Sequence, residues 1–407
     1  MESSALVYVL LTAATVLLGL CVENREYVPG YTGSGRSMGG ASGSGRGVDR
    51  PSCAGRGMEG ASGVGCVRGM GAYTDRRQAR NHIAVFAVFC LMAGVSACRI
   101  AVGNDYWVYR DNFKLIAQGR YVSYEPGFNL IVKWIQQLFG YDHYLPVFGF
   151  FSIVTVFFFV RALEDQGSSF AVSLFLLMTG GYYFNSLNTV RYYLALAMAL
   201  YAMKYVLRGE YGKFVLWILA GALFHKSILL VIPIYLLARF LAAAKLKKGH
   251  YVAGGILIVS LIFGQRFYQE IIFYFYPYYR NSIFDNGQLS YVNIVKCVCV
   301  MILCGICYRR SLREDLNNRF YFFLNLAGLL VYCCGSFIPE VSRVGYYMII
   351  SQVFLLPRLL EDMREGILRK LCCCGVIVGF TLYFLFLLRG MYAVDVRLLP
   401  YLNWIFN

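Results

Sequence analysis

Residues 221–230 read Gly-Ala-Leu-Phe-His-Lys-Ser-Ile-Leu-Leu and lie inside an apolar run from Phe214 to Phe240. Two adjacent ionisable side chains, His225 and Lys226, are costly there unless they face a wet cavity or a partner. An imidazole of near-neutral pKa suits a general base, and a neighbouring cation favours its unprotonated form. More ionisable groups stand at or near the ends of apolar runs: Arg99, Asp105, Arg110, Asp111, Glu125, Arg191, Glu340 and Arg343. In Asn185-Ser-Leu-Asn188-Thr-Val-Arg191, Asn188 is placed to cap a helix and Arg191 to project near its first turn. A helix start with an arginine beside its free N–H groups is an anion site, suited above all to phosphate. Arg343 repeats the arrangement after Pro339-Glu340, with Glu340 near enough to pair with it locally. Each group also has a plainer reading, as a snorkelling or anchoring charge at the membrane boundary.

The elements that position these groups follow from composition. The chain has 407 residues, of which 58% are hydrophobic and 15% charged, and its mean hydropathy is +0.56. A soluble protein cannot dispose of that much apolar surface. The expected class is an all-α polytopic membrane protein with about 12 membrane segments, some short or broken. The expected spans are 5–21, 82–101, 144–160, 168–184, 189–207, 214–224, 227–243, 250–264, 291–308, 320–337, 343–357 and 371–389. Residues 214–224 are too few for one straight crossing. The pair 214–243 is either two short crossings or a re-entrant hairpin with its tip at His225.

The net charge of +16 does not point to nucleic acid, because its distribution follows topology. Loops 22–80, 161–167, 204–213, 239–249, 309–319 and 358–370 hold 25 of the 38 lysines and arginines. By the positive-inside rule these loops are cytoplasmic, which places both termini outside. The first apolar stretch has no basic n-region and no small-residue cleavage site, so it reads as a retained span. The domain plan is then a first membrane helix (1–21), a cytoplasmic loop (22–81) and a polytopic membrane domain (82–407). Within the loop, residues 28–72 are a Gly/Ser/Arg-rich insert, expected to be disordered. Two external segments, 102–143 and 265–290, are rich in Tyr, Phe and Trp, residues that favour the interface and stack on sugar rings. Residues 108–118 and 128–139 have helical apolar spacing, with a turn expected at Pro126-Gly127.

Most of the 14 cysteines lie in apolar spans, and Cys304-x-x-Cys307 reads as small core residues. Cys53 and Cys66 fall in the cytoplasmic loop, where a disulfide is not expected. No stretch has metal-ligand spacing or a phosphate-binding glycine loop. Asp105 and Asp111 are weak as a cation pair. No cofactor and no metal are expected.

Taken in order, the pieces resemble the EpsG family of bacterial exopolysaccharide proteins. The matching residues are Arg99, Gly103-Asn-Asp105-Tyr and Tyr109; Tyr124-Glu125-Pro-Gly-Phe128; Asn188-Thr-Val-Arg191-Tyr-Tyr; Leu223-Phe-His225-Lys226-Ser227; Arg343-Val-Gly-Tyr-Tyr; and Pro400-Tyr401. The resemblance runs from about residue 82 to the end. Tyr192 stands where that family usually has Gln, and the insert at 28–72 has no counterpart. The resemblance implies a Wzy-like polysaccharide polymerase, likened to GT-C glycosyltransferases, in the bacterial inner membrane with its active site outside. It would move a growing glycan from undecaprenyl pyrophosphate to the non-reducing end of a lipid-linked repeat unit. Its partners would be the undecaprenyl-pyrophosphate-linked oligosaccharide, the bilayer, and flippase and chain-length regulator proteins. The implied catalytic residues are His225, Asp105 and Arg191. Arg99, Tyr109, Glu125, Asn188, Lys226 and Arg343 would bind substrate. The competing readings are a single-sugar lipid-linked glycosyltransferase and a transporter of the same glycolipid.

Overall fold

The computed structural model describes residues 3–23, 63–141, 143–245, 247–275, 277–282, 287 and 289–405. Among these residues the regular structure is helical, and strand geometry is confined to one isolated bridge between Arg99 and Asn403. In chain order the helices are α1 (Ser3–Leu20), α2 (Gly63–Ala97), α3 (Tyr106–Ala117), α4 (Pro126–Phe139), α5 (Leu145–Gln166) and α6 (Phe170–Thr179). Next come α7 (Tyr182–Asn185), α8 (Val190–Leu207), α9 (Tyr211–Ala222), α10 (Val231–Ala243), α11 (Lys248–Phe263) and α12 (Gln265–Phe275). The last are α13 (Tyr291–Ile306), α14 (Leu316–Cys334), α15 (Val341–Ile349), α16 (Gln352–Asp362) and α17 (Ile367–Gly390).

Helix lies over every expected span. By length and composition, however, only the helical stretches Arg77–Ala97, Leu145–Gln166, Lys226–Ala243 and Ile367–Gly390 qualify as crossings, with α11–α12 a fifth if that pair, bent by 74°, is one span. The others fall short for identifiable reasons. The run 168–184 breaks at Gly180-Gly181, where Gly181 takes φ +80°, leaving α6 only 10 residues long. The run 343–357 breaks between α15 and α16 at Ser351. The run 214–243 breaks at His225.

Helix α8 is the axis of the bundle. It packs against α5, α9, α10 and α15, and Ala195, Ala197, Ala199 and Ala202 are fully buried on it. Small residues let helix backbones approach closely where lipid offers no hydrophobic drive. Phe214, 11 residues before His225, stacks at 6.0 Å on Tyr235, 10 residues after it. The chain therefore goes out along α9 and returns along α10, a hairpin with His225-Lys226 at its tip.

Expected helices 108–118 and 128–139 appear as α3 and α4. Each buries one face, with Tyr109 and Phe113 on α3 and Phe128, Val132 and Ile135 on α4. Pro126 is the first residue of α4, where its missing N–H costs nothing, and does not form a separate turn.

The stretch 28–72 lies outside the described residues as far as position 62. From Gly63 the backbone is already helical, well ahead of the expected span start. Arg77 and Arg80 pair with Glu23, which ties this extension of α2 to the end of α1. Cys53 lies outside the described residues, as does the side chain of Cys66.

One end of the bundle buries charges from the loops read as cytoplasmic. There Asp165 and Lys204 form a buried pair at 2.6 Å. Asp315 lies 3.6 Å from Arg358, and the Asn318 amide donates to Asp362 at 3.2 Å. Helix ends of α5, α8, α14 and α16 meet at that end, so charges that look like solvated termini in the sequence become internal partners.

Candidate functional site

The opposite end of the bundle gathers the loops 98–105, 186–189, 223–227 and 339–343. The first is held in place by the segment after α17. Gly103 N–H donates to the Arg397 carbonyl at 2.7 Å, Asn104 N–H to Val396 at 3.1 Å, and Ile100 N–H to Leu402 at 3.0 Å. Tyr401 donates to the Val95 carbonyl at 2.9 Å, which gives the Pro400-Tyr401 pair a structural task. Gly103, at φ +97°, approaches Asn188 so closely that a Cβ would meet the Asn188 Cα at 2.9 Å. That approach lets the Asn188 side-chain oxygen accept from Asp105 N–H at 2.9 Å. Thr189 donates its hydroxyl to the Asp105 carboxylate at 3.2 Å. Asn188 was expected to cap α8. Instead Thr189 is the residue before the helix and makes no side-chain cap, because the amide of Asn188 is spent on the neighbouring loop.

Tyr124 to Phe128 form the second wall. Gly127 packs against the hairpin tip, where a Cβ would lie 2.6 Å from Leu223 Cβ and 2.9 Å from its carbonyl oxygen. Phe128 N–H donates to that carbonyl at 3.2 Å. Glu125 can then reach two separate elements. Its carboxylate accepts from the Arg191 guanidinium and from Lys226 N–H, the latter at 3.2 Å. The Arg191 and Glu125 side chains are 19% and 13% exposed, so the pair is largely desolvated. The guanidinium carbon lies 3.7 Å from the Tyr124 ring centroid, with the Phe128 and Tyr109 rings at 5.7 and 6.0 Å. Arg191 Nε has no partner among the described residues. The Tyr124 hydroxyl accepts from Asn112 at 2.6 Å.

The third wall is the hairpin tip against α15. His225 is extended (φ −157°, ψ 110°) and starts a 3₁₀ turn over Lys226–Leu230. Its Nδ1 lies 2.7 Å from Ser227 Oγ and 3.4 Å from Ser227 N. Ser227 Oγ is in turn 3.0 Å from the Tyr347 hydroxyl. The His225 ring meets Tyr192 edge-on at 5.6 Å, and Tyr192 donates to the Arg343 carbonyl at 2.6 Å. Tyr192, the departure from the usual family pattern, therefore ties α8 to the start of α15. Arg343 Nε lies 3.2 Å from Glu340, which is the local pair expected from their spacing. Arg191, Arg343 and Lys226 all act electrostatically on His225, and Asp105 acts on Arg343.

Eight of the nine expected site residues thus share this end: Asp105, Tyr109, Glu125, Asn188, Arg191, His225, Lys226 and Arg343. Arg99 does not join them. It is 1% exposed, donates to the Ser96 carbonyl and to Ser152 Oγ (2.6 Å), and lies over Phe148 at 5.3 Å. As placed, it has no opening to a substrate and braces α2 against α5. Arg110 and Asp111 bind one another on the surface at 2.8 Å. Ser227 and Tyr347 belong to the cluster though neither is ionised. Their signal in the sequence was adjacency to His225 and to the Arg343 motif.

A helical bundle with four or five apolar helices of membrane-spanning length, and with cations, a histidine and aromatic faces collected at one end, has the make-up of an integral-membrane protein. The family model for the EpsG family matches residues 82–403, and the chain belongs to that family. Membership implies a membrane protein of the exopolysaccharide polymerase-like kind, in a family associated with polysaccharide polymerase or glycosyltransferase activity. No curated protein and no solved structure gives a significant match.

Proposed function

We propose that this chain is a Wzy-type, GT-C-like polymerase acting on the outer face of the bacterial inner membrane. It transfers a growing glycan from undecaprenyl pyrophosphate to a hydroxyl at the non-reducing end of a lipid-linked repeat unit. The observation that carries the reading is the convergence of His225, Arg191, Arg343 and Asp105 from separate elements on one end of the bundle. In the step, the acceptor oxygen bonds to the anomeric carbon, the bond from that carbon to the phosphate oxygen breaks, and the acceptor proton passes to a base. Charge develops on the departing pyrophosphate, and fixed guanidinium groups stabilise it best. The guanidinium groups of Arg343 and Arg191 take that role.

His225 is the base. The Nδ1–Ser227 Oγ contact is the shorter of its two. As placed, Nδ1 accepts from Ser227 N–H at 3.4 Å; for base action that long bond is given up and the proton sits on Nδ1, donated to Ser227 Oγ at 2.7 Å, while the Ser227 hydroxyl donates onward to Tyr347. That tautomer leaves the Nε2 lone pair for the acceptor hydroxyl. Asp105 and Glu125 are less suited, being engaged by Thr189 and by Arg191 with Lys226 N–H. The aromatic faces of Tyr109 and Tyr124 offer stacking surfaces for sugar rings.

The test is polymer length in cells carrying His225→Ala or Arg191→Lys at normal protein levels. Loss of the ladder of repeat units is expected from both. An undiminished ladder from both removes the assignment, and a single added sugar from the unmodified protein would make it a single-sugar transferase.

A further inference from the structure

Helices α13 and α17 leave between them an apolar groove of about 610 Å³. Val292, Val295 and Cys299 of α13 line one side at helical spacing, and Gly375 and Gly379 of α17 line the other. At both glycines nothing stands within 4 Å of where a Cβ would be, so the groove floor is open because those side chains are absent. From Tyr291 to Leu303 the α13 wall runs about 18 Å, more than half of a hydrocarbon layer of about 30 Å.

One charged side chain lines the groove, Lys296. Its ammonium lies 4.4 Å from the Tyr383 ring and 6.0 Å from the Tyr182 ring, and it forms no ion pair with a carboxylate among the described residues. A cation held by ring faces within an apolar wall is expensive to keep, and a lipid with an acidic head would compensate it. An apolar slot with one cation partway along its wall matches an amphiphile, not a soluble anion. The cation also adjoins the cluster described above. Tyr182 meets Tyr346 edge-on at 5.6 Å, and Tyr346 is three residues from Arg343 on α15.

We propose that the α13–α17 groove holds the tail of a polyisoprenyl phosphate or pyrophosphate, with Lys296 taking its phosphate. The inference rests on the glycan-transfer reading, since continuity with Arg343 is what favours a carrier lipid over an ordinary phospholipid.

The experiment uses the full chain in lipid nanodiscs and a polyprenyl phosphate bearing a diazirine on its isoprenoid chain, with adducts mapped by mass spectrometry. Adducts are expected on residues 291–303 and 372–383, competed by unlabelled polyprenyl phosphate and not by phosphatidylglycerol. Gly379→Leu should lower labelling about tenfold, and Gly379→Ala should lower it less. Lys296→Met should weaken labelling and Lys296→Arg should preserve it. Matched size-exclusion profiles show that each variant is folded. Labelling elsewhere, indifference to Gly379→Leu, or equal competition by phosphatidylglycerol overturns the proposal. Turnover separates the two ideas. A normal ladder from Gly379→Leu sinks the groove and leaves the polymerase reading standing. Specific labelling by a wild-type protein that lengthens no glycan does the reverse.

Discussion

Replacing Glu125 tests how the candidate site is held and what Arg191 does in it. The carboxylate is shared between Arg191 and Lys226 N–H, and both charged side chains are mostly shielded from solvent. At about 4 Å between charge centres and an effective dielectric of about 20, the attraction is about 4 kcal/mol. Desolvation offsets roughly half, leaving a coupling of about 2 kcal/mol. Glu125→Ala removes two hydrogen bonds and strands a guanidinium, and should cost about 3 kcal/mol. Arg191→Leu should cost less, because Glu125 keeps the Lys226 N–H. In the double variant the stranded charge is gone, so its cost should fall about 2 kcal/mol below the sum of the singles. Unfolding by dodecyl sulfate in mixed micelles measures all four proteins. Additivity within about 0.5 kcal/mol refutes the coupling. The polymer ladder supplies the second readout. It should stay absent in the double variant although the stranded charge is gone, because the anion-stabilising charge is missing. A restored ladder would mean that Arg191 serves only to neutralise Glu125.

Two further outcomes follow from close contacts. Gly127→Ala drives a Cβ into the Leu223 backbone, so α4 must separate from the hairpin tip; a loss of about 1–3 kcal/mol is expected in the same unfolding assay. Ser227→Ala removes the partner that orients His225. The rate of polymer elongation should fall about tenfold or more, with repeat-unit affinity little changed; a change confined to affinity would assign Ser227 to substrate contact.

Much of the helical layout is legible in the sequence because apolar runs in a membrane protein have few alternatives. α3 and α4 announce themselves by the spacing of Tyr109, Phe113, Phe128, Val132 and Ile135, which the structure buries on one face of each. Breaks are harder to read. Gly180-Gly181 sits in an unbroken apolar stretch, and only the left-handed φ at Gly181 reveals the turn. The site was legible where charges stood out against oil, as with His225 and Arg191. It was not legible where partners are distant in sequence. The Asn188 amide looks like a helix cap until Gly103 is brought beside it, and Arg99 looks like an interfacial cation until Ser152 and the tail close over it. Lys296 is a single lysine in a valine- and cysteine-rich run. Its meaning depends on Tyr383 arriving from α17, and local pattern carries no trace of that neighbour.

Helix α9 has 12 residues, about 18 Å of rise, and exposes Leu216 and Leu219 on its outer side. Against a hydrocarbon layer of about 30 Å that leaves a mismatch of about 12 Å, and lipid beside so short a helix relieves it by thinning. The leaflet surface dips toward the hairpin tip there. On the glycan-transfer reading, that dip would bring lipid headgroups toward the level of His225 by the shape of the bilayer itself, with their tails still in oil.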